Sequence, residues 1–173
     1  IRLVTSGNLT LESTAVLDVS GRKFSNAGKG GSVILEAGSA IDGLADEAAR
    51  LSLAPGSLVD LSVDAFRTGP HDASESSAFY GQFEGTLHLR APRTGNDIGG
   101  MGPIASTINR GSSVLVEGFR VYQPEGGIMN IALRDSIHAD NTQFINDSEA
   151  TLRSRLLTGP NTTLDQILVL APG

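Results

Sequence analysis

A short sequence motif, which we call the phrase, occurs three times and ends each time in an aspartate, at Asp18, Asp42 and Asp60. If the three copies stack, their carboxylates form a column that could bind a metal ion. Stacked carboxylates suit a hard cation such as Ca²⁺. The competing interpretation is that each aspartate accepts hydrogen bonds from the amides of its own turn. The dense Gly-Gly-x-Gly-x-Asp runs of calcium-binding repeats are absent from the sequence. We therefore favour the turn interpretation and predict no metal site.

A second candidate is the glycine-rich stretch 28–31, which superficially resembles a phosphate-binding loop. The phosphate-loop pattern needs glycine at position 23 and serine or threonine at position 30. Those positions hold Lys23 and Gly30. We interpret the stretch as a chain corner and predict no cofactor.

The chain has three histidines, at 71, 88 and 138, and no two have the spacing of a metal pair. We predict that His88 points outward from a strand and that His71 lies in a loop. A glycan-cleaving site needs carboxylates grouped on one face, whereas Glu84, Glu117 and Glu125 are scattered along the sequence. We predict no catalytic residue and keep a carbohydrate-active enzyme, a lyase or hydrolase built on a β-helix, as an alternative.

Three aromatic side chains, Phe66, Phe79 and Tyr80, flank a polar stretch that interrupts the strand-like pattern. We predict a loop insertion over 64–82. Aromatic rings stack on sugars, so these three residues are the candidate ligand contacts, although aromatics in an insertion also fold back to anchor it.

The composition and net charge limit the kinds of partner that this chain can bind. The chain has 173 residues and a net charge of −6, which argues against nucleic acid and anionic membranes as partners. Cysteine is absent, so a packed core must supply the stability without disulfides. No stretch is long and apolar enough for membrane insertion. The first residues, from Ile1 onward, already have the apolar pattern of a strand. We therefore expect residues 1–173 to be one segment of a larger protein.

The elements that would position these residues follow from the repeated phrase, whose copies span 7–18, 31–42 and 49–60. Each copy holds an alternating apolar pair, then a small-residue corner and a second apolar pair. Repeats near 20 residues are typical of solenoids. We predict an all-β fold, a parallel β-helix in which the three copies stack on one another.

The pattern changes to helical spacing over 128–157, with apolar residues three and four apart. We predict a helical insertion there, with Asp147 as a point where one helix could end and another begin. Arg153 and Arg155 mark its last turn, and Gly159-Pro160 ends it. The insertion could cover a face or an edge of the strands.

One series of phrases resembles a known family. Gly85 to Ile98 reads GTLHLRAPRTGNDI, residues 111–122 read GSSVLVEGFRVY, and the chain closes on LRSRL and LVLAPG. Their order over 83–173 is similar to that of large filamentous-haemagglutinin-like exoproteins, and 1–63 fits that family only generically.

The resemblance implies that the parallel β-helix is right-handed. It also implies export by a two-partner secretion system of the Gram-negative type, with an outer-membrane transporter as partner. It implies a secreted, cell-surface protein, a virulence-associated adhesin, whose shaft attaches to a glycan or protein on host or neighbouring bacterial cells. It gives no catalytic residue. The alternative within the resemblance is the stalk of a contact-dependent toxin-delivery protein.

Overall fold

The computed structural model describes residues 1–21, 30–40, 44–63 and 84–173. In these stretches the chain forms eleven strands and one α-helix, α1, at Ile131–Leu156, together with short 3-10 segments at Glu125–Gly127 and Gly159–Gln166. The strands are β1 Arg2–Val4, β2 Leu9–Leu11, β3 Val16–Asp18, β4 Ser32–Glu36, β5 Leu51–Leu53, β6 Leu58–Asp60, β7 Thr86–Pro92, β8 Met101–Ile104, β9 Thr107–Asn109, β10 Ser113–Phe119 and β11 Leu168–Pro172.

The described strands form three separate sheets, and every pairing within them is parallel. Sheet A has the order β1-β4-β7-β10-β11, sheet B has β2-β5-β8, and sheet C has β3-β6-β9. The chain therefore places successive strands in sheets A, B and C in turn, until β10 and β11 both join sheet A.

One apolar core joins the three sheets and the helix. Strand residues alternate between this core and the outer face, so Leu87 and Leu89 of β7 are buried while His88 between them points outward. Burying a leucine or valine side chain contributes about 1.5–3 kcal/mol. With no disulfide in the chain, this core carries the stability.

Helix α1 belongs to the same core. Asn130 caps its start by accepting a hydrogen bond from the Leu133 amide at 2.8 Å. Its buried residues recur every fourth position, a spacing that places them on one face: Phe144, Ser148, Leu152 and Leu156. This face packs against β8 and β11, while the first three turns of the helix remain largely exposed.

The predicted fold class, an all-β right-handed parallel β-helix, is wrong. The described strands form three short parallel sheets, none of which closes on itself, and a 26-residue helix is packed into their core. Parallel sheets covered by a helix are closer to an α/β arrangement than to an all-β one. The repeated phrase correctly places strands, but it does not specify how the strands divide among sheets, and the helix is integral to the core.

The predicted stacking of the three phrases is also wrong for the middle copy. The first and third copies do pair, with Leu9 opposite Leu51 and Asp18 opposite Asp60. The middle copy supplies β4, which pairs with β1 and β7 in sheet A instead. The first and third copies each supply one strand to sheet B and one strand to sheet C, whereas the middle copy supplies a strand to sheet A. The three copies therefore do not occupy equivalent positions.

Other local predictions differ from the structure in small ways. A helix was expected within 128–157, and α1 occupies Ile131–Leu156, but it runs without a break through Asp147. The second apolar pair of the middle copy, Ala40-Ile41, is not seen as a strand: Ala40 lies outside any strand, and Ile41 lies outside the described residues.

Candidate functional site

The aspartate column is a set of turn residues in the part of the chain that the structure describes. Asp18 accepts hydrogen bonds from the amide and the hydroxyl of Ser20 at 2.9 and 2.6 Å. Asp60 makes the same pair of bonds with Ser62 at 3.0 and 2.6 Å, and it also accepts from Asn109. Asp42 lies outside the described residues. Within the described ranges no group of three or more His, Asp or Glu is placed to hold a metal ion.

Several other predicted positions lie outside the described residues, namely the loop insertion 64–82 with its candidate contacts Phe66, Phe79 and Tyr80, and also His71. Of the glycine-rich corner, Gly30 and Gly31 are described. A Cβ at Gly30 would lie 2.3 Å from the Gly85 amide nitrogen, so this position requires close backbone contact between two segments. That close contact fits a chain corner at Gly30, while 28–29 lie outside the described residues.

The outer face of sheet A carries a chain of alternating charges. Glu117 of β10 accepts hydrogen bonds from two β7 residues, with 2.8 Å to His88 Nε2 and 2.7 Å to Arg90 Nε. Arg90 also donates to Glu36 of β4 at 2.8 Å. The Arg2 guanidinium of β1 lies 3.8 Å from the same Glu36 carboxylate. The ion pairs therefore connect four of the five strands of sheet A, namely β1, β4, β7 and β10.

Arg90 is the centre of this charged face. Burial lowers its pKa, but hydrogen bonds and charge from Glu117 and Glu36 outweigh that effect and leave the pKa raised. Its guanidinium also lies over the Phe119 ring, 4.5 Å from the ring centroid. The carboxylates of Glu117 and Glu36 both bind the Arg90 guanidinium. Glycan hydrolysis instead requires a pair of carboxyl groups that face a substrate. The chemistry that this face performs is cross-linking of strands.

A second polar cluster joins α1 to sheet A. Its centre is Asp140 of the helix, which receives hydrogen bonds from Arg93, from Arg120 at 2.8 Å and from the Tyr122 hydroxyl at 2.5 Å. The side chain of Arg93 is completely buried, lies over the Phe144 ring and donates to Asn141 at 3.0 Å. Its buried Nε has no hydrogen-bond partner in the described part of the chain.

The electrostatics of this second cluster favour an ionised Asp140. Burial alone would raise the pKa of Asp140, but hydrogen bonds from Tyr122 and Arg93 and the charges of Arg93 and Arg120 lower it below its ordinary value. Burial and the hydrogen bond to Asp140 raise the pKa of the Tyr122 phenol. The cluster is therefore a charged clamp that holds the helix against the ends of β7 and β10.

A cleft of about 300 Å³ opens beside the two clusters. Its walls are polar and apolar in nearly equal parts, and its lining includes Leu44, Glu47, Pro92, Phe119, Arg120 and Val121. This volume is at the lower limit of small-molecule sites. Within the described ranges, the cleft is a concave surface next to the charged clamp.

Sequence reasoning placed His88 on the outer face correctly but missed the members of the clamp, Arg93, Arg120, Tyr122 and Asp140. Arg93 and Asp140 are 47 residues apart, and neither has a local pattern that indicates the other. One signal was present, since Arg93 follows an alternating apolar strand, where a buried arginine requires a carboxylate partner. The scattered carboxylates Glu84, Glu117 and Glu125 lie on different elements: Glu84 accepts from the Gly111 amide, while Glu125 is exposed.

No protein-family model, curated protein or solved structure matches this chain. Among the described residues, no helix has the length and apolar character required to cross a membrane. The class that the described fold and clusters define is thus a parallel-sheet protein with a packed helix, whose buried and half-buried charges bind one another.

Proposed function

We propose that the chain is a structural and adhesive segment of a secreted, cell-surface exoprotein of the filamentous-haemagglutinin-like kind, which attaches to host or neighbouring cells. The observation that carries the proposal is the role of the most specific phrase, residues 85–98. Its polar side chains contact other parts of the fold: Arg90 ties three strands together, and Arg93 joins the helix to sheet A. A phrase that encodes a rigid framework suits a segment that holds a binding surface in position.

The helix contacts support the same proposal. Arg155 donates to the Met101 and Ile98 carbonyl oxygens and to the Asp97 carboxylate. Arg153 donates to the Leu168 carbonyl oxygen at 2.9 Å. The closing phrases LRSRL and LVLAPG therefore contact each other and the strands, and the phrases of the resemblance function as one unit.

The adhesive contacts of this proposal are Phe66, Phe79 and Tyr80 in the insertion 64–82. Aromatic rings supply large contact areas at low entropic cost, which makes them common anchors for sugars and proteins. The ligand is a glycan or a protein on another cell, and the export partner is an outer-membrane transporter of a two-partner secretion system.

A bead-adhesion assay tests the proposal. Beads coated with the purified chain are incubated with cultured epithelial cells and, separately, with Gram-negative bacteria. We expect attachment that falls roughly fivefold or more when Phe66, Phe79 and Tyr80 are all replaced by alanine, because a truncated anchor costs about 1 kcal/mol or more.

A matched control replaces three other exposed apolar residues, Ile128, Met129 and Ile131, by alanine. This variant should keep the attachment of the parent. Parent beads that bind no better than albumin-coated beads would contradict the proposed function. Equal losses in the two triple variants would instead contradict the assignment of the contact to the aromatic residues.

A further inference from the structure

The cleft beside the two charged clusters lies where three parallel strands end. Its lining comes from residues 44–47, in the connection after β4, from Pro92 at the end of β7, and from 119–123 at and beyond the end of β10. Because β4, β7 and β10 are parallel neighbours in sheet A, their carboxyl ends meet at one edge of the sheet. Ligands of open parallel sheets bind in crevices outside the carboxyl ends of the strands. The position of the cleft therefore makes it a candidate ligand site.

The apolar part of the lining suits a short aliphatic group. Pro92 and Phe119 are buried in the wall of the cleft. Leu44 and Val121, from two different segments, also line the cleft, yet they remain 66% and 38% exposed. An apolar group that displaces loosely held water from such side chains gains affinity. The small volume of the cleft limits that group to a short chain.

The charge of the cleft favours a cation. Glu47 lines the cleft and is exposed, and it has no hydrogen-bond or ion-pair partner within the part of the chain that the structure describes. The other charged residue of the described lining, Arg120, already donates to the Asp140 carboxylate at 2.8 Å. The whole chain carries a net charge of −6, which attracts cations from a distance. The uncompensated charge of the cleft is therefore the carboxylate of Glu47.

Arg90 determines which end of such a cation enters the cleft. Its guanidinium lies 4.5 Å from the centroid of the Phe119 ring, and Phe119 is part of the lining. A second positive charge beside that ring is repelled by Arg90. The charged head of a ligand therefore lies at Glu47, and its aliphatic part lies against Phe119 and Pro92.

We propose that this cleft binds a primary alkylammonium group, which is a protonated amine on a short unbranched carbon chain. The ammonium donates hydrogen bonds to the Glu47 carboxylate, and the carbon chain contacts Leu44, Val121 and the buried wall. Two sources carry this chemistry, namely a free aliphatic amine and a lysine side chain of another protein. The proposal does not depend on the cell attachment proposed above.

Titrations of the isotope-labelled chain, followed by two-dimensional amide NMR, test the proposal with n-pentylamine. This ligand is protonated near neutral pH and should bind saturably, with the largest shift changes at amides of 44–47 and 119–123. Methylamine lacks the carbon chain, 1-pentanol lacks the charge, and pentanoate reverses it. Each of the three should therefore bind at least about threefold more weakly than n-pentylamine.

Variants separate the role of the charge from that of the apolar wall. Glu47→Gln should raise the dissociation constant of n-pentylamine at least about threefold and leave that of 1-pentanol unchanged. Val121→Asn should weaken the binding of both ligands, because it replaces apolar wall by a polar group. The matched control is Glu12→Gln, which removes an exposed carboxylate outside the lining and should have no effect.

Three results would overturn the proposal: no saturable shift changes at 44–47 and 119–123, binding of 1-pentanol or pentanoate as tight as that of n-pentylamine, or equal effects of Glu47→Gln and Glu12→Gln. Nα-acetyl-lysine methylamide then distinguishes the two sources. Tighter binding of this lysine derivative than of n-pentylamine would support a lysine side chain of a partner protein. Tighter binding of n-pentylamine would support a free amine.

Discussion

The described strands have two ends that differ in what lies against them. We call the end formed by β1, β2 and β3 the open end, and the end formed by β11, β8 and β9, where α1 and the 3-10 segment Gly159–Gln166 pack, the covered end. At the covered end, residues from α1 and the 3-10 segment fill the core and bind the carbonyl groups of the last strands. At the open end, core-facing residues such as Leu3 remain partly exposed. A short parallel strand therefore does not determine its own stability, which depends on what lies against its outer edge. The following substitutions test this contrast in pairs, one at each end.

The largest expected effect comes from the helix side chain that enters the core. Phe144→Ala should lower the free energy of unfolding by about 3–5 kcal/mol, since the ring is fully buried and leaves a cavity. Val16→Ala at the open end should cost less than about 1 kcal/mol, because this side chain is largely exposed. Urea denaturation measures both values. Equal losses would remove the energetic distinction between the ends.

The buried clamp should come next. Arg93→Ala leaves Asp140 without its buried partner and should cost about 3 kcal/mol. Arg2→Ala removes an exposed, 3.8 Å ion pair and should change stability by less than about 0.5 kcal/mol. Urea denaturation measures both free energies of unfolding. If Arg93→Ala lowers the free energy of unfolding by less than Arg2→Ala does, the clamp is not required for stability.

Gly118 tests close packing beneath the helix. A Cβ there would lie 2.8 Å from carbons of Arg93 and Ile98 and 3.1 Å from Phe144, so Gly118→Ala should cost about 1–3 kcal/mol. Gly7 near the open end has nothing within 4 Å of an added Cβ, so Gly7→Ala should be neutral or slightly stabilising. Thermal unfolding monitored by circular dichroism compares the two. An unchanged melting temperature for Gly118→Ala would contradict tight packing of Arg93, Ile98 and Phe144 around Gly118.

Asn161 tests the capping of carbonyl groups. Asn161→Ala removes two buried hydrogen bonds to the turn after β8 and should cost about 1–2 kcal/mol. Asn8→Ala near the open end removes one exposed bond to the Arg50 amide and should cost less. Urea denaturation measures both, and the reverse order would contradict the role of Asn161 in covering the edge.

The smallest effect is a pH dependence that arises from Asp140. Because its folded-state pKa is lowered, its stabilising contribution is complete above the unfolded-state pKa near 4 and is lost as the pH falls through the lower folded value. The stability difference between the parent and Asp140→Asn should therefore narrow below about pH 4. A difference that stays constant through this range would contradict the lowered pKa.

Much of the local structure could be predicted from the sequence, whereas most contacts between distant segments could not. Alternation of apolar residues correctly placed β2 to β6, and four-residue spacing correctly placed α1. The same alternation could not assign β4 to sheet A, because Val33 and Leu35 resemble Leu9 and Leu11 in every local respect. Similarly, the turn role of Asp18 was readable from its neighbours, whereas the contact of Arg93 with Asp140 joins distant segments and depends on how the helix packs.

Amide hydrogen exchange tests the difference between the two ends most directly. We predict that amides of β7, β10 and the buried half of α1 exchange only through global unfolding. Amides of β1 and β3 should exchange much faster, through local opening. Equal protection of β1 and β10 would contradict this difference, because it would show that the edge strand β1 is as stable as the inner strand β10.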